Sequence, residues 1–136
     1  MRDIIETLKS VGQKLDFEGK LLVLTGVLLT CARLGRSISY GEVADIMRVY
    51  LGPGSQFFAG SHELARLLGA RQREDDRKGT AFLSSLVVGQ DSGHPGPGYF
   101  TQAMELGAPL KADATDDEKL NFWRTQRDRC FSMFSG

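Results

Sequence analysis

The stretch Ile38-Ser39-Tyr40-Gly41-Glu42-Val43-Ala44 decides how the middle of this chain folds. Its Ser39 and Glu42 have the spacing of a capping box, in which each side chain satisfies an unpaired backbone amide at the start of a helix. The stretch therefore predicts a short extended segment at 37–38, followed by a helix over residues 40–49.

Two helices are predicted on the N-terminal side of this stretch. Apolar residues recur every three or four positions over 4–15, which indicates an amphipathic first helix. Residues 21–34 are apolar on more than one face, as in a central helix, and Gly35 is suited to end that helix in a left-handed conformation. The apolar run 21–32 is too short to cross a hydrocarbon layer of about 30 Å. Because the N-terminus also lacks the pattern of a secretory signal, we expect a cytoplasmic protein with no membrane partner.

Composition and charge limit the function classes. The 136 residues are 41% hydrophobic and 25% charged, which fits one globular domain. Seventeen basic residues balance seventeen acidic ones, so any binding to phosphates must come from a local patch. Cys31 and Cys130 lie at helical core spacing without a CxxC partner, so we interpret both as core thiols. No metal and no cofactor are predicted.

A loop and a fourth helix are predicted on the C-terminal side. Residues 51–60 are rich in helix breakers but hold two aromatics, which favours a packed loop. The next helix carries Leu64, Leu67 and Leu68 at core spacing, and its polar far end, 71–78, is expected to be solvated.

A buried strand is predicted over residues 82–88, because this segment has no polar face wide enough for a surface helix and is bounded by glycines. We expect it to pair antiparallel with a short segment near Tyr99. The segment 94–100 contains two prolines and two glycines, which indicates a shaped loop that returns to the sheet or opens a helix.

The C-terminal part is predicted to be helical. A short helix should end at Gly107, and Thr115 with Glu118 forms a second capping box before a packing helix over 115–134. The whole chain, 1–136, is thus predicted to be a single, mostly helical α+β domain with a helix-turn-helix and a small β wing. Its parts are a helical N-terminal part over 1–35, a winged-helix-like part over 36–107 and the C-terminal helix.

Two motifs point to a known family. The first is Ile38–Ala44, and the second is Ala65-Arg66-Leu67-Leu68-Gly69. Over roughly residues 20–107 the chain resembles the C-terminal domain of O6-alkylguanine-DNA alkyltransferases and the alkyltransferase-like proteins. The resemblance implies that the first motif opens a helix of a helix-turn-helix and that the second lies on the recognition helix. It also implies that residues 82–88 and 93–99 take the places of the active-site strand and the glycine-rich loop.

The chain departs from this family at the reacting group. Where the family has an alkyl-accepting cysteine in Pro-Cys-His-Arg, this sequence has Leu83-Ser84-Ser85-Leu86. A serine hydroxyl without a neighbouring base is a poor nucleophile, so we expect a noncatalytic domain. The strings Leu-Ser-Ser-Leu-Val-Val and Gly-His-Pro-Gly-Pro-Gly-Tyr-Phe also resemble small bacterial proteins of unassigned function.

The leading hypothesis is noncatalytic recognition of DNA, or of a modified base or nucleotide. Arg66 is a candidate to stack in place of an extruded base, with a surface ion pair to Glu63 as its plainer interpretation. Tyr40 is a candidate to press on a phosphate, with a place at the edge of the core as the alternative. The candidate DNA-binding residues are Tyr40, Ser61, His62, Arg66, Arg71 and Arg73, and the candidate ligand loop comprises Ser84, Ser85, His94, Gly96, Gly98 and Tyr99.

Two rival functions stay open. The first is a protein-interaction module, such as an inhibitor or immunity-type partner, with Tyr50, Phe57 and Phe58 forming an exposed patch. The second is an enzyme using Ser84 or His94, which would need a pocket containing a base with a perturbed pKa.

Overall fold

The computed structural model of the protein describes Ile4, residues 17–51 and residues 57–134. The first predicted helix, 4–15, falls outside the described residues except for Ile4, as do positions 52–56 of the predicted loop. The described ranges form a mostly helical single domain with a two-stranded parallel sheet, which confirms the predicted fold class. The helices are α1 (Phe17–Leu34), α2 (Tyr40–Leu51), α3 (His62–Lys78), α4 (Pro97–Glu105) and α5 (Asp116–Phe134), and the strands are β1 (Ile38–Ser39) and β2 (Val87–Val88).

Local signals place the helix ends as predicted. The Glu42 amide donates to the Ser39 hydroxyl, and the Ser39 amide donates to the Glu42 carboxylate, each over 3.1 Å, so the capping box opens α2. Gly35 ends α1 with φ +66°, and Gly107 follows α4 with φ +87°. Both glycines adopt the left-handed conformation that side chains with a Cβ avoid.

The predicted strand over 82–88 is largely wrong. Leu83–Leu86 is a turn of 3₁₀ helix, and within 82–88 only Val87–Val88 pairs as a strand. Val87 lies opposite Ile38 in a parallel pair, and Tyr99 belongs to α4 instead of a partner strand. The winged helix was expected from an antiparallel pair between residues 82–88 and a segment near Tyr99. The described residues do not form this pair, so the strand pairing gives no support for a wing.

Side chains from neighbouring helices explain why this segment turns. The Asp75 carboxylate accepts the Leu83 amide over 2.8 Å, and Gln126 Oε1 accepts the Phe82 amide over 3.1 Å. The indole of Trp123 donates to the Ser85 carbonyl over 2.8 Å. Because these partners satisfy the buried backbone groups, the segment needs no partner strand along most of its length.

The core lies around α1, whose Leu24 and Leu28 are fully buried. Cys31 and Cys130 are buried and free, which confirms their interpretation as core thiols. A second cluster, which includes Trp123, packs α4 against α5. None of the described helices has both the length and the apolar character needed to cross a membrane.

Candidate functional site

A cavity of about 310 Å³ lies where α3, α4 and the 3₁₀ turn meet the first residue of α2. Its walls bring together residues from both predicted sets, the DNA-binding candidates and the ligand-loop candidates, although these lie far apart in the sequence. Tyr40 comes from the DNA-binding set, and Ser84, Gly96, Gly98 and Tyr99 come from the ligand-loop set. The other lining residues are Ala65, Leu68, Gly69, Gln72 and Gln102.

The Tyr40 hydroxyl fixes one wall of this cavity. It accepts the Gly96 amide over 2.9 Å and so ties the loop before α4 to the start of α2. Burial raises the pKa of Tyr40, which outweighs the opposing effect of the Gly96 amide. The phenol therefore keeps its proton at neutral pH and has an O–H available to donate to a ligand.

The deep wall of the cavity is polar and already ordered. The Ser84 hydroxyl donates to Gln72 Oε1 over 3.2 Å, and Gln72 Nε2 donates to the Tyr99 carbonyl over 3.0 Å. Gln72 is buried, although it lies in the helix end that the sequence analysis predicted to be solvated. The sequence does indicate that Gln72 is buried, because positions 64, 68, 72 and 75 continue the three-and-four spacing of the apolar face.

Gln102 lines both the cavity and a second, more open hollow. Its Nε2 donates to the Gly69 carbonyl over 2.9 Å, across the surface of α3. A Cβ at position 69 would lie 2.7 Å from Gln102 Oε1, so the side chain can rest there only because residue 69 is glycine. Gln102 was not among the predicted site residues, since nothing in the local sequence of α4 places it beside α3.

The second hollow has a volume of about 500 Å³ and shares Ala65, Gly69 and Gln102 with the cavity. Its other lining residues are Phe17, Arg66 and Arg73. The Arg66 guanidinium lies 5.3 Å from the centroid of the Phe17 ring, which is a cation–π distance. The expected ion pair between Arg66 and Glu63 is wrong, because Glu63 pairs with Lys20.

Two predicted DNA-binding residues, Arg71 and Ser61, are buried and bonded within the protein. Arg71 is only 8% exposed, and it donates to Thr25 Oγ1 over 3.0 Å and to Asp75 Oδ1 over 2.8 Å. Its guanidinium is therefore not available to a phosphate. Ser61 is buried and accepts the Leu64 amide as the N-cap of α3, whereas His62 is exposed at the first position of that helix but lines neither hollow.

Two ligand-loop candidates also lie outside the cavity wall. Ser85 is fully buried, with its hydroxyl 2.6 Å from the Tyr99 hydroxyl. His94 is half-buried, with Nδ1 2.8 Å from the Pro95 carbonyl oxygen and its ring against Trp123. Phe57 was predicted to belong to an exposed patch for a protein partner, and this prediction is wrong because Phe57 is buried in the core.

The arrangement is suited to binding more than to nucleophilic chemistry. The Ser84 hydroxyl is bonded to an amide and the Ser85 hydroxyl to a phenol, and neither partner is a general base at neutral pH. Burial also raises the pKa of Tyr99, which keeps its phenol neutral. Within residues 17–51 and 57–134, no three His, Cys, Asp or Glu side chains come together in a way that could hold a metal ion.

Comparisons with family models, curated proteins and solved structures give no match for this chain. The resemblance to alkyltransferases therefore stays a prediction. The class that the fold and the cavity define is a mostly helical domain with a small pocket of mixed apolar and polar lining beside an arginine-lined hollow.

Proposed function

We propose that this protein is a noncatalytic DNA-binding protein that receives a single extruded, modified base in the cavity between Tyr40, Ser84 and Gln102. The observation that carries this proposal is the cavity itself. At about 310 Å³ it lies at the lower end of the range of small-molecule pockets, about 300 to 1,000 Å³. Proteins that inspect single bases hold them in pockets of this kind, outside the stacked duplex.

The lining supports recognition of a flat heterocycle. Leu68 and Ala65 supply apolar surface, while the Tyr40 hydroxyl, the Ser84 hydroxyl and the Gln102 amide supply polar atoms at different points around it. A flipped base is read by such contacts to its edge together with apolar contacts to its faces. The cavity therefore offers both kinds of contact that base recognition requires.

The charge beside the cavity fits a polyanion despite the zero net charge of the chain. Arg66 and Arg73 are exposed and line the hollow that adjoins the cavity. A local basic surface is sufficient for phosphate contacts, and its contribution to affinity falls as salt rises. We expect Arg66→Ala and Arg73→Ala each to weaken DNA binding and to reduce its salt dependence, because each variant lacks one cationic contact to phosphate.

The most direct test fills the cavity with a larger side chain and leaves the net charge of the protein unchanged. A Cβ at Gly98 meets no atom within 4 Å, so the leucine of Gly98→Leu can project over the cavity without a clash at its base. Gly26→Leu is the matched control, because Gly26 is an exposed helical glycine with equally open surroundings that lines neither hollow. Binding is measured by gel shift at two salt concentrations, with duplexes that contain O6-methylguanine or guanine.

We expect the protein to prefer the alkylated duplex. Gly98→Leu should reduce that preference by about tenfold or more, equivalent to about 1.4 kcal/mol. Gly26→Leu should bind as the parent does. Equal binding of Gly98→Leu and the parent to the alkylated duplex would show that the cavity does not hold the base.

A protein-interaction module is the second candidate, and one observation favours it. Val49, Tyr50 and Phe58 are 81%, 58% and 56% exposed, and large apolar side chains exposed together in one patch are a feature of protein-interaction surfaces. Failure of the parent protein to bind either duplex at low salt would favour this candidate over DNA binding.

A further inference from the structure

The two arginines of the hollow differ from their neighbours in charge pairing. On the same helix, Arg71 pairs with Asp75 and Arg77 pairs with Glu74. In the part of the chain that the structure describes, neither Arg66 nor Arg73 has a carboxylate within 4.0 Å. Their positive charge is therefore available to an anion in the hollow.

The spacing of Arg66 and Arg73 along α3 places both side chains at the same hollow. Residues 66 and 73 are seven positions apart on α3, which places them two turns and about 10 Å apart on nearly the same face. Gly69 lies between them and has no side chain to fill the gap. The site of a Cβ at Gly69 is 3.7 Å from Arg73 Nη1, so this guanidinium reaches back over the glycine.

We infer that this hollow is a phosphate subsite, and that the site as a whole takes a nucleotide unit with its phosphate instead of a base alone. The inference rests on the proposed function, which assigns the base to the adjoining cavity. Ala65, Gly69 and Gln102 border both spaces, so one ligand can extend from one into the other. Guanidinium groups bind phosphate oxygens through paired, charge-assisted hydrogen bonds, which suits Arg66 and Arg73 to this role.

The test removes one phosphate charge from the DNA and one arginine from the protein. Duplexes with O6-methylguanine carry a neutral methylphosphonate beside the modified base or, as a control, five nucleotides away. Proteins are the parent, Arg73→Gln and Arg77→Gln. The last is a matched control, because Arg77 is exposed on the same helix but does not line the hollow. Dissociation constants are measured by fluorescence anisotropy at several salt concentrations.

In the parent, the adjacent methylphosphonate should weaken binding by about fivefold to tenfold, and the distant one should have little effect. In Arg73→Gln the adjacent substitution should cost clearly less than in the parent, because only Arg66 is left to contact that phosphate, and the salt slope should be smaller by about one. Arg77→Gln should respond as the parent does.

The outcomes separate this subsite from the proposed function. If Gly98→Leu loses the alkylated duplex but Arg73→Gln behaves like Arg77→Gln, the cavity holds a base and the phosphate subsite is wrong. If the parent binds none of the duplexes, both the proposed function and the subsite are wrong.

Discussion

Replacing Arg71 by methionine tests the largest difference between the sequence-based expectation and the structure. A solvated, phosphate-binding arginine could be removed with little effect on stability. In the structure Arg71 is instead buried, with one guanidinium nitrogen on Thr25 and another on Asp75. Arg71→Met keeps much of the buried stem and leaves the carboxylate of Asp75 with the Leu83 amide as its hydrogen-bond donor.

The magnitude follows from leaving one member of a buried ion pair alone. Such changes cost about 3 to 5 kcal/mol. We expect the lower end, because Arg71 Nε is buried without a hydrogen-bond partner and its removal relieves that cost. With an m value of about 1 to 3 kcal/mol per molar, a loss of 3 kcal/mol lowers the midpoint of urea unfolding by about 1 to 3 M.

The effect should depend on pH in a defined direction. Burial raises the pKa of Asp75 above its usual value, while the Leu83 amide and Arg71 act in the opposite direction. Removing Arg71 therefore raises this pKa further. A carboxyl whose pKa is higher in the folded state stabilises the fold below its unfolded pKa, about 3.9, and loses that stabilisation as pH rises. Arg71→Met should accordingly be more destabilised at pH 7 than at pH 4.5.

Two further proteins make the unfolding assay decisive. Arg77→Met removes an arginine whose ion pair with Glu74 is solvent-exposed, so it should lower the urea midpoint much less than Arg71→Met does. Arg71→Met combined with Asp75→Asn should be more stable at pH 7 than Arg71→Met alone, because the buried charge is gone. If Arg71→Met unfolds at the same urea concentration as Arg77→Met, the buried ion pair is not a stabilising element and our reasoning fails.

The remaining predictions concern titration and alkyl transfer. Hydrogen bonds from the Arg77 guanidinium, with a smaller contribution from Lys78, lower the pKa of Glu74 to about 2. Arg77→Ala should move this pKa toward the ordinary value near 4.3 in a carboxyl-detected NMR titration, and an unchanged value would contradict the assigned cause. The protein should not accept a methyl group from O6-methylguanine, because burial raises the pKa of Cys31 and raises that of Cys130 to about 12, which disfavours both thiolates. Mass spectrometry after incubation with alkylated DNA checks this, and a methyl adduct on either cysteine would refute it.

Part of the candidate site was predictable because its residues belong to recognisable local patterns. Tyr40 follows the capping serine of α2, and Gly96 and Gly98 lie in a segment whose prolines and glycines indicate a shaped loop. Gln72 and Gln102 were not predicted. The spacing of the apolar face of α3 does reach Gln72 and indicates that it is covered, but it does not say which groups Gln72 bonds. For Gln102 the local sequence of α4 gives no such signal, because its partner Gly69 lies on another helix.

The sequence by itself determined several of the helix ends, among them the start of α2 and the end of α1. Capping boxes, left-handed glycines and apolar spacing act within a few residues, so they need no partner from a distant part of the chain. Tertiary structure decided the rest. Residues 83–86 turn because Asp75 and Trp123, distant in sequence, bond their backbone, and Arg71 is buried because Thr25 of α1 lies against it. The pattern of polar and apolar residues indicates which segments can be buried. The partners that satisfy the hydrogen bonds of a buried segment come from other helices, so they are in place only in the packed structure.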